Sequence, residues 1–192
     1  LARRMDLSFS QHATIDPLDI LRKWKFANKP GGHMFCISPG GEAGDFFGCT
    51  PERLFQVHQS SVVSEALAGT RPRGSTQQAD EELARQLYTS SKDQMENRIT
   101  GRFIRSALKE LEGKGLVAFQ KTDANANASQ SLDPGGTFYV RRLRHLQHLC
   151  QRYTCDLIDD TKSVDVIKFL LKKLHPTPAV GGYPQDEAIK FI

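Results

Sequence analysis

Val62-Val63-Ser64-Glu65-Ala66-Leu67-Ala68-Gly69-Thr70-Arg71-Pro72-Arg73-Gly74 leads out of a strand-like run into a Gly-Thr turn. β-branched residues at its start favour a strand. A helical pattern follows, from about Asp80 to Leu111. There Met95, Ile99, Phe103 and Ala107 recur every fourth residue, with Ile104, Leu108 and Leu111 alongside, and Gly113 and Gly115 close it. Strands that hand over to one long helix, rather than alternating with helices, predict an α+β fold with antiparallel sheets flanked by helices.

The same grammar extends outward. Upstream, Met5 to Phe9 reads as the end of a strand. Asp16-Pro17 opens a helix with Leu18, Leu21 and Trp24 as its apolar stripe, and Pro30-Gly31-Gly32 ends it. His33–Ser38, Phe46–Cys49 and Arg53–Val57 read as short strands, with Thr50-Pro51-Glu52 at a bend. Downstream, Leu116–Phe119 and Phe138–Arg142 read as strands around a polar loop, Asp123–Gly136. A helix spans Thr161–Leu174, a Pro/Gly-rich segment Leu174–Pro184, and a last helix starts near Gln185.

Bulk composition narrows the classes. At 192 residues, 39% hydrophobic and 25% charged, the chain suits one soluble globular domain. No apolar run reaches the roughly 18 residues of a membrane helix, and no signal peptide is visible. The net charge of +4 is mild. The cluster Arg141, Arg142 and Arg144 reads as a solvated face or strand edge, so neither nucleic acid nor membrane is an expected partner. Cys36, Cys49, Cys150 and Cys155 form no CxxC pair and read as reduced, mostly buried thiols.

Five features can carry chemistry. Glu52 sits on a bend stiffened by Pro51 beside apolar strands, where a carboxyl group can have a raised pKa and act as a general acid. Taken alone, an exposed turn carboxylate is the plainer reading. Glu96 falls near the apolar stripe of the long helix, where a carboxylate needs a cation or a metal; a Lys or Arg partner is the plainer choice. Gly69-Thr70 forms a turn whose N–H groups can face an anion, or merely ends a strand. His148, in Leu146-Gln147-His148-Leu149, is by type more often structural than catalytic. The segment Leu174–Pro184, which contains Ala179, has prolines and glycines that set an unusual backbone path.

In order along the chain, these segments resemble the chorismate-binding enzymes: isochorismate, salicylate, anthranilate and aminodeoxychorismate synthases. Leu1-Ala2-Arg3 is similar to the tail of the family's Lys-Val-Val-Leu-Ala-Arg strand. Phe47–Leu54 is similar to its Ser/Thr-Pro-Glu-x-Leu segment, and Glu65–Gly74 to its Ala-Gly-Thr-Arg motif. Lys92–Asn97 resembles its Lys-Asp-Arg-x-Glu-His helix, and Leu146–Leu149 its His-Leu segment. His175-Pro176-Thr177-Pro178-Ala179-Val180-Gly181-Gly182 resembles the isochorismate and salicylate synthase form of a loop that reads Pro-x-Gly-Thr-Val-Ser-Gly-Ala-Pro in the ammonia-using branches.

The resemblance implies the anthranilate synthase component I-like fold and Mg²⁺-dependent conversion of chorismate to isochorismate, serving menaquinone or phylloquinone, salicylate or siderophore synthesis. It implies Glu52 as the acid that protonates the leaving hydroxyl, with His148 near that hydroxyl. Glu96 becomes one Mg²⁺ ligand, and Gly69, Thr70 and Ala179 become substrate contacts. Localisation is then cytoplasmic, or plastid in a photosynthetic eukaryote. Alternatives are a non-catalytic remnant or module of a fusion protein, and an anthranilate, aminodeoxychorismate or salicylate synthase.

The family's base lysine falls before Leu1, and its second carboxylate cluster after Ile192. Residues 1–192 are therefore expected to be a partial domain truncated at both ends, with 123–136 a loop insertion. Gln94 and Asn97 stand where the family usually has Arg and His, and Asn97 is expected to weaken a hydrogen bond behind the metal ligand. The 192-residue polypeptide alone is expected to be inactive. Incubation with chorismate and Mg²⁺ checks this: measurable isochorismate would refute it.

Overall fold

The structure, a computed structural model, describes residues 16–27, 32–40, 44–119 and 137–191. The strand end expected at Met5–Phe9 and the loop Asp123–Gly136 lie outside the described residues. The chain divides into two compact units, Leu1–Pro51 and Glu52–Ile192.

In the first unit, Asp16 accepts a 2.8 Å hydrogen bond from the Leu18 amide and opens α1 (Pro17–Ala27) as expected. Strands β1 (His33–Ile37) and β2 (Phe46–Thr50) pair antiparallel, from His33↔Thr50 to Ile37↔Phe46. Trp24 of α1 stacks at a tilt on Phe47, with ring centroids 5.8 Å apart.

The second unit is built on two long strands, β4 (Ser61–Pro72) and β7 (Leu146–Leu157). They pair antiparallel from Ser61↔Asp156 to Pro72↔Leu146. Strand β3 (Gln56–His58) pairs with the start of β4. Two short strands share the far edge of β7: β5 (Val117–Phe119) lies along Leu157–Cys155, and β6 (Tyr139–Arg142) along Cys150–Gln147.

Helices α2 (Gln77–Thr89) and α3 (Ser91–Gly113) fill the stretch expected to be one helix. The break is Ser90, whose extended backbone (φ −66°, ψ 112°) cannot continue α2 and whose hydroxyl caps α3 by accepting from the Asp93 amide at 3.2 Å. A 3₁₀ turn (Asp160–Lys162) leads into α4 (Ser163–Leu174), and α5 (Pro178–Gly181) and α6 (Gln185–Phe191) follow. Among the described residues, no helix is long and apolar enough to cross a membrane.

The core lies where α3 and α4 cover the sheet: Val62, Ala66, Ile104, Leu108, Leu111, Tyr153, Leu170 and Leu174 are among its buried members. The face of α3 that enters it differs from the one the period predicts. Met95 is 57% exposed, whereas Asn97, Thr100, Gly101, Ile104, Ala107, Leu108 and Leu111 are buried. Close approach explains this. A Cβ on Gly101 would collide with the Tyr153 hydroxyl and lie 2.6 Å from Gln151 Oε1, so the helix rides on β7 through its smallest residue. Arg53–Val57, expected as a strand, pairs only from Gln56, and β7, the longest strand together with β4, runs through Cys150 and Cys155 where no strand was expected.

Arg142 and Arg144 are exposed, on and beside the short strand β6 that flanks β7, as expected of a solvated strand edge, but the cluster is also tied down by ion pairs. Arg141 binds Glu65, and Arg142 lies 3.3 Å from Asp80. Asp80 also takes Arg73 in a two-pronged pair (2.7 and 2.8 Å) and the Gly74 amide at 2.9 Å. The Arg73 hydrogen bonds and the Gly74 amide hold its carboxyl down at about 2, tying the end of β4 to α2.

Gly101→Ala is expected to destabilise the fold by about 2 kcal/mol, because the added methyl meets the Tyr153 hydroxyl with no room to move. Urea unfolding followed by far-UV circular dichroism measures it; an unchanged midpoint would mean that α3 does not ride on β7 this closely.

Candidate active site

The pairing of β4 with β7 slips between Leu67 and Thr70. Leu67 faces Cys150 and Thr70 faces His148, so Ala68 and Gly69 together oppose Leu149 alone. This is a β-bulge. Gly69 takes φ +88°, and a Cβ there would lie 2.9 Å from Asp93 Cβ, so only glycine fits. Past the bulge, Thr70 Oγ1 and His148 Nδ1 stand 2.9 Å apart in a hydrogen bond. Two sequence segments 78 residues apart thus meet.

His148 is buried, and its Nε2 has no hydrogen-bond partner among the described residues. Burial first, and then the Arg141 charge, push the ring below its ordinary 6.5, so it is neutral near pH 7. Arg141 is the register partner of His148 on β6. It leads to the residue that the sequence reading missed, Glu65.

Glu65, 3% exposed, pairs in register with Arg152 of β7. Its Oε1 accepts from Arg152 Nε at 3.1 Å and Nη2 at 2.9 Å. Arg141 Nη2 lies 3.0 Å from Oε2 without hydrogen-bond geometry there and donates to Oε1 at 3.2 Å. Arg53 Nη1 is 4.0 Å away. The available signal was a lone carboxylate inside a small, apolar strand, which requires cationic partners. On the same sheet, burial pushes the Cys150 thiol up to about 11, so it stays protonated and inert.

The other expected site residues are more dispersed. Glu52 is the first residue of the second unit, half-buried, and burial raises its carboxyl above the ordinary 4.5. Glu96 sits on the outer side of α3, 3.8 Å from Lys92 and half-exposed, not on the buried stripe. Asn97, its neighbour, is fully buried. Ala179 is exposed on α5, the short turn between Thr177 and Gly182. No group of three or more His, Cys, Asp or Glu side chains that can hold a metal occurs among the described residues. Glu96 fits a Mg²⁺ site only as a single carboxylate oxygen donor, which is nevertheless the type of donor that Mg²⁺ takes in ones and twos.

The bulged antiparallel sheet, covered by helices on one side, thus carries a buried neutral histidine hydrogen-bonded to a threonine. The chain belongs to the chorismate binding enzyme family, whose model matches residues 1–192. It is 38% identical over 192 residues to isochorismate synthase, chloroplastic, of Catharanthus roseus, covering all of this chain and 29% of that protein. It is 37% identical over 178 residues to isochorismate synthase 2, chloroplastic, of Arabidopsis thaliana, covering 93% of this chain and 28% of that protein. The menaquinone-specific isochorismate synthase of Escherichia coli superposes with a TM-score of 0.64 at 27% identity, over 90% of this chain and 35% of that one. The chain therefore spans about a third of the length of these relatives.

Proposed function

We propose that these residues form the proton-donating part of an isochorismate synthase site that acts on chorismate. The observation that carries this reading is the likeness to isochorismate synthases along the whole chain, reinforced by the His-Pro-Thr-Pro-Ala-Val-Gly-Gly form of residues 175–182. In this reaction water forms a C–O bond at one ring carbon while the ring double bonds shift and a hydroxyl leaves from another. The departing oxygen needs a proton. Glu52 is the proposed donor, and its burial supports this: it favours the protonated carboxyl, so the acid holds its proton further toward neutral pH than an exposed glutamate.

His148, neutral and hydrogen-bonded to Thr70, would orient the leaving hydroxyl, because a neutral imidazole is not acidic enough to protonate it. In this reading Gly69 and Thr70, at the bulge, contact the substrate carboxylate, and Ala179 gives a small apolar contact. Mg²⁺, when bound, neutralises carboxylate charge, and Glu96 is one of the residues that would hold it. The base that activates water is not assigned to any residue here. The compartment that fits this reading is the cytoplasm in a bacterium and the plastid in a plant.

The test uses protein expressed from the complete reading frame that encodes these residues, incubated with chorismate and Mg²⁺. Isochorismate is the expected product. Ammonia-dependent formation of an aminated product would overturn the reading, and release of pyruvate with salicylate would move it to the salicylate synthase branch.

In the same protein, Glu52→Gln is expected to lower kcat by about 10²- to 10⁴-fold while chorismate still binds. The sign of its pH dependence follows from the raised pKa. Turnover is present while Glu52 is protonated and falls as pH rises through its folded value. A carboxyl raised on folding also contributes stability below its ordinary 4.5 and loses that contribution above the folded pKa, so the Gln variant should be no less stable at pH 7. Full activity in Glu52→Gln would remove the acid assignment. Glu96→Ala is expected to raise the Mg²⁺ concentration for half-maximal turnover by on the order of tenfold or more; an unchanged Mg²⁺ titration would rule Glu96 out as a ligand.

A further inference from the structure

The bulge disturbs the pairing of the two longest strands near their centre. Where two residues oppose one, the extra residue is left unpaired and the ladder is locally disrupted. Here the step consists of Ala68 and Gly69 against Leu149, inside the sheet and under α3. Asn97 of α3 is 0% exposed and reaches this step. Its amide nitrogen donates to Leu149 O at 2.8 Å, to Ala68 O at 3.3 Å and to Ala66 O at 3.4 Å. The shortest of these goes to β7 and the others to β4, on the two sides of the interrupted pairing.

One turn earlier on α3, Asp93 packs under Gly69 and its carboxylate accepts from Arg71 Nη2 at 2.8 Å. The two side chains, four residues apart on one helix face, thus hold the bulge before and after its glycine. Leu149 and Gly69 are the chain neighbours of His148 and Thr70, whose side chains meet at 2.9 Å.

We propose that Asn97 is a positioning residue: its side-chain amide bridges β4 and β7 across the bulge and thereby keeps Thr70 in hydrogen-bonding register with His148. It touches no reacting atom. An apolar residue of equal volume would fill the space but remove the donor that the Ala68 and Leu149 carbonyls share. The inference rests on reading Thr70 and His148 as part of the site, yet the geometry it predicts is independent of what the site turns over.

The experiment is NMR of the 192-residue chain, observing the imidazole nitrogens of His148 at a fixed pH of about 7, with the resonance assigned by its loss in His148→Phe. Thr70→Val removes the hydrogen bond directly and sets the reference displacement of Nδ1. Asn97→Ala is expected to displace Nδ1 in the same direction, with His148 broadened by exchange, while far-UV circular dichroism stays that of the wild type. Asn97→His, which restores a ring N–H donor, is expected to return the resonance toward its wild-type position. A wild-type His148 spectrum in folded Asn97→Ala would overturn the proposal. Should Asn97→Ala not fold, Asn97→Thr, with one donor in place of two, decides on the same criterion: Nδ1 displaced supports the proposal, Nδ1 unmoved sinks it. Because no turnover is measured, a protein that proves not to make isochorismate leaves this result standing.

Discussion

The antiparallel pairing of β4 with β7 is the constraint on which the second unit depends. It joins residues 61–72 to residues 146–157, across the whole helical region between them, and every other strand of that sheet attaches to one of the two. A continuous ladder would place each side chain by strict alternation. The slip at Leu67/Thr70 breaks that alternation once, and its consequence is local and specific: Thr70 comes to face His148. Moving the slip by one residue would send Thr70 to the helix side of the sheet. The site is therefore a property of register as much as of residue type.

The two faces of this sheet solve different problems. Towards α3, small and apolar residues allow close packing, with Gly101 on Tyr153 and Leu108 and Leu111 in the core. The other face carries Glu65 among Arg53, Arg141 and Arg152. A buried carboxylate without partners costs several kcal/mol, and three guanidinium groups offset that cost. They also leave a net positive charge beside His148. That charge helps to hold the imidazole neutral, because a second cation next to Arg141 is disfavoured. The ion cluster and the histidine are thus linked through β6, the short strand whose Arg141 faces both.

How much of this was legible in the sequence depends on whether a residue's type announces its partner. The Asp16-Pro17 start of α1 and the strand at Tyr139–Arg142 declare themselves through backbone preference alone, whereas Gly69, expected in a strand-ending turn, sits in a bulge with β4 running on to Pro72. Strand β7 does not. Gln147, His148 and Gln151 are all buried there, so a strand flanked on both edges and covered by a helix shows no apolar alternation. The buried face of α3 was misjudged for a related reason. Polar and small residues, Asn97, Thr100 and Gly101, fill the half nearest the bulge, whereas a hydrophobic period counts only the large apolar ones. Glu96 illustrates the same error from the other side: placed near the stripe by its spacing, it lies on the exposed face. The Gly69-Thr70 turn and His148 were each visible as candidates, but their meeting requires the register, which no local pattern encodes.

One physical cause, desolvation, sorts the roles of the two titratable groups assigned to the proposed reaction. It penalises the charged form of each, so it raises Glu52 and lowers His148. The carboxyl is thereby biased to keep its proton and the imidazole to lack one. A leaving hydroxide needs a proton delivered at the moment the C–O bond breaks, and only the first of these groups is loaded to deliver it. Reversing the roles would require a charged His148 beside Arg141, against both burial and repulsion. The neutral ring instead offers a fixed donor or acceptor at the end of a short hydrogen bond to Thr70. That suits orientation of a hydroxyl better than its protonation. In the proposed reaction, therefore, proton delivery is assigned to Glu52 and orientation of the hydroxyl to His148.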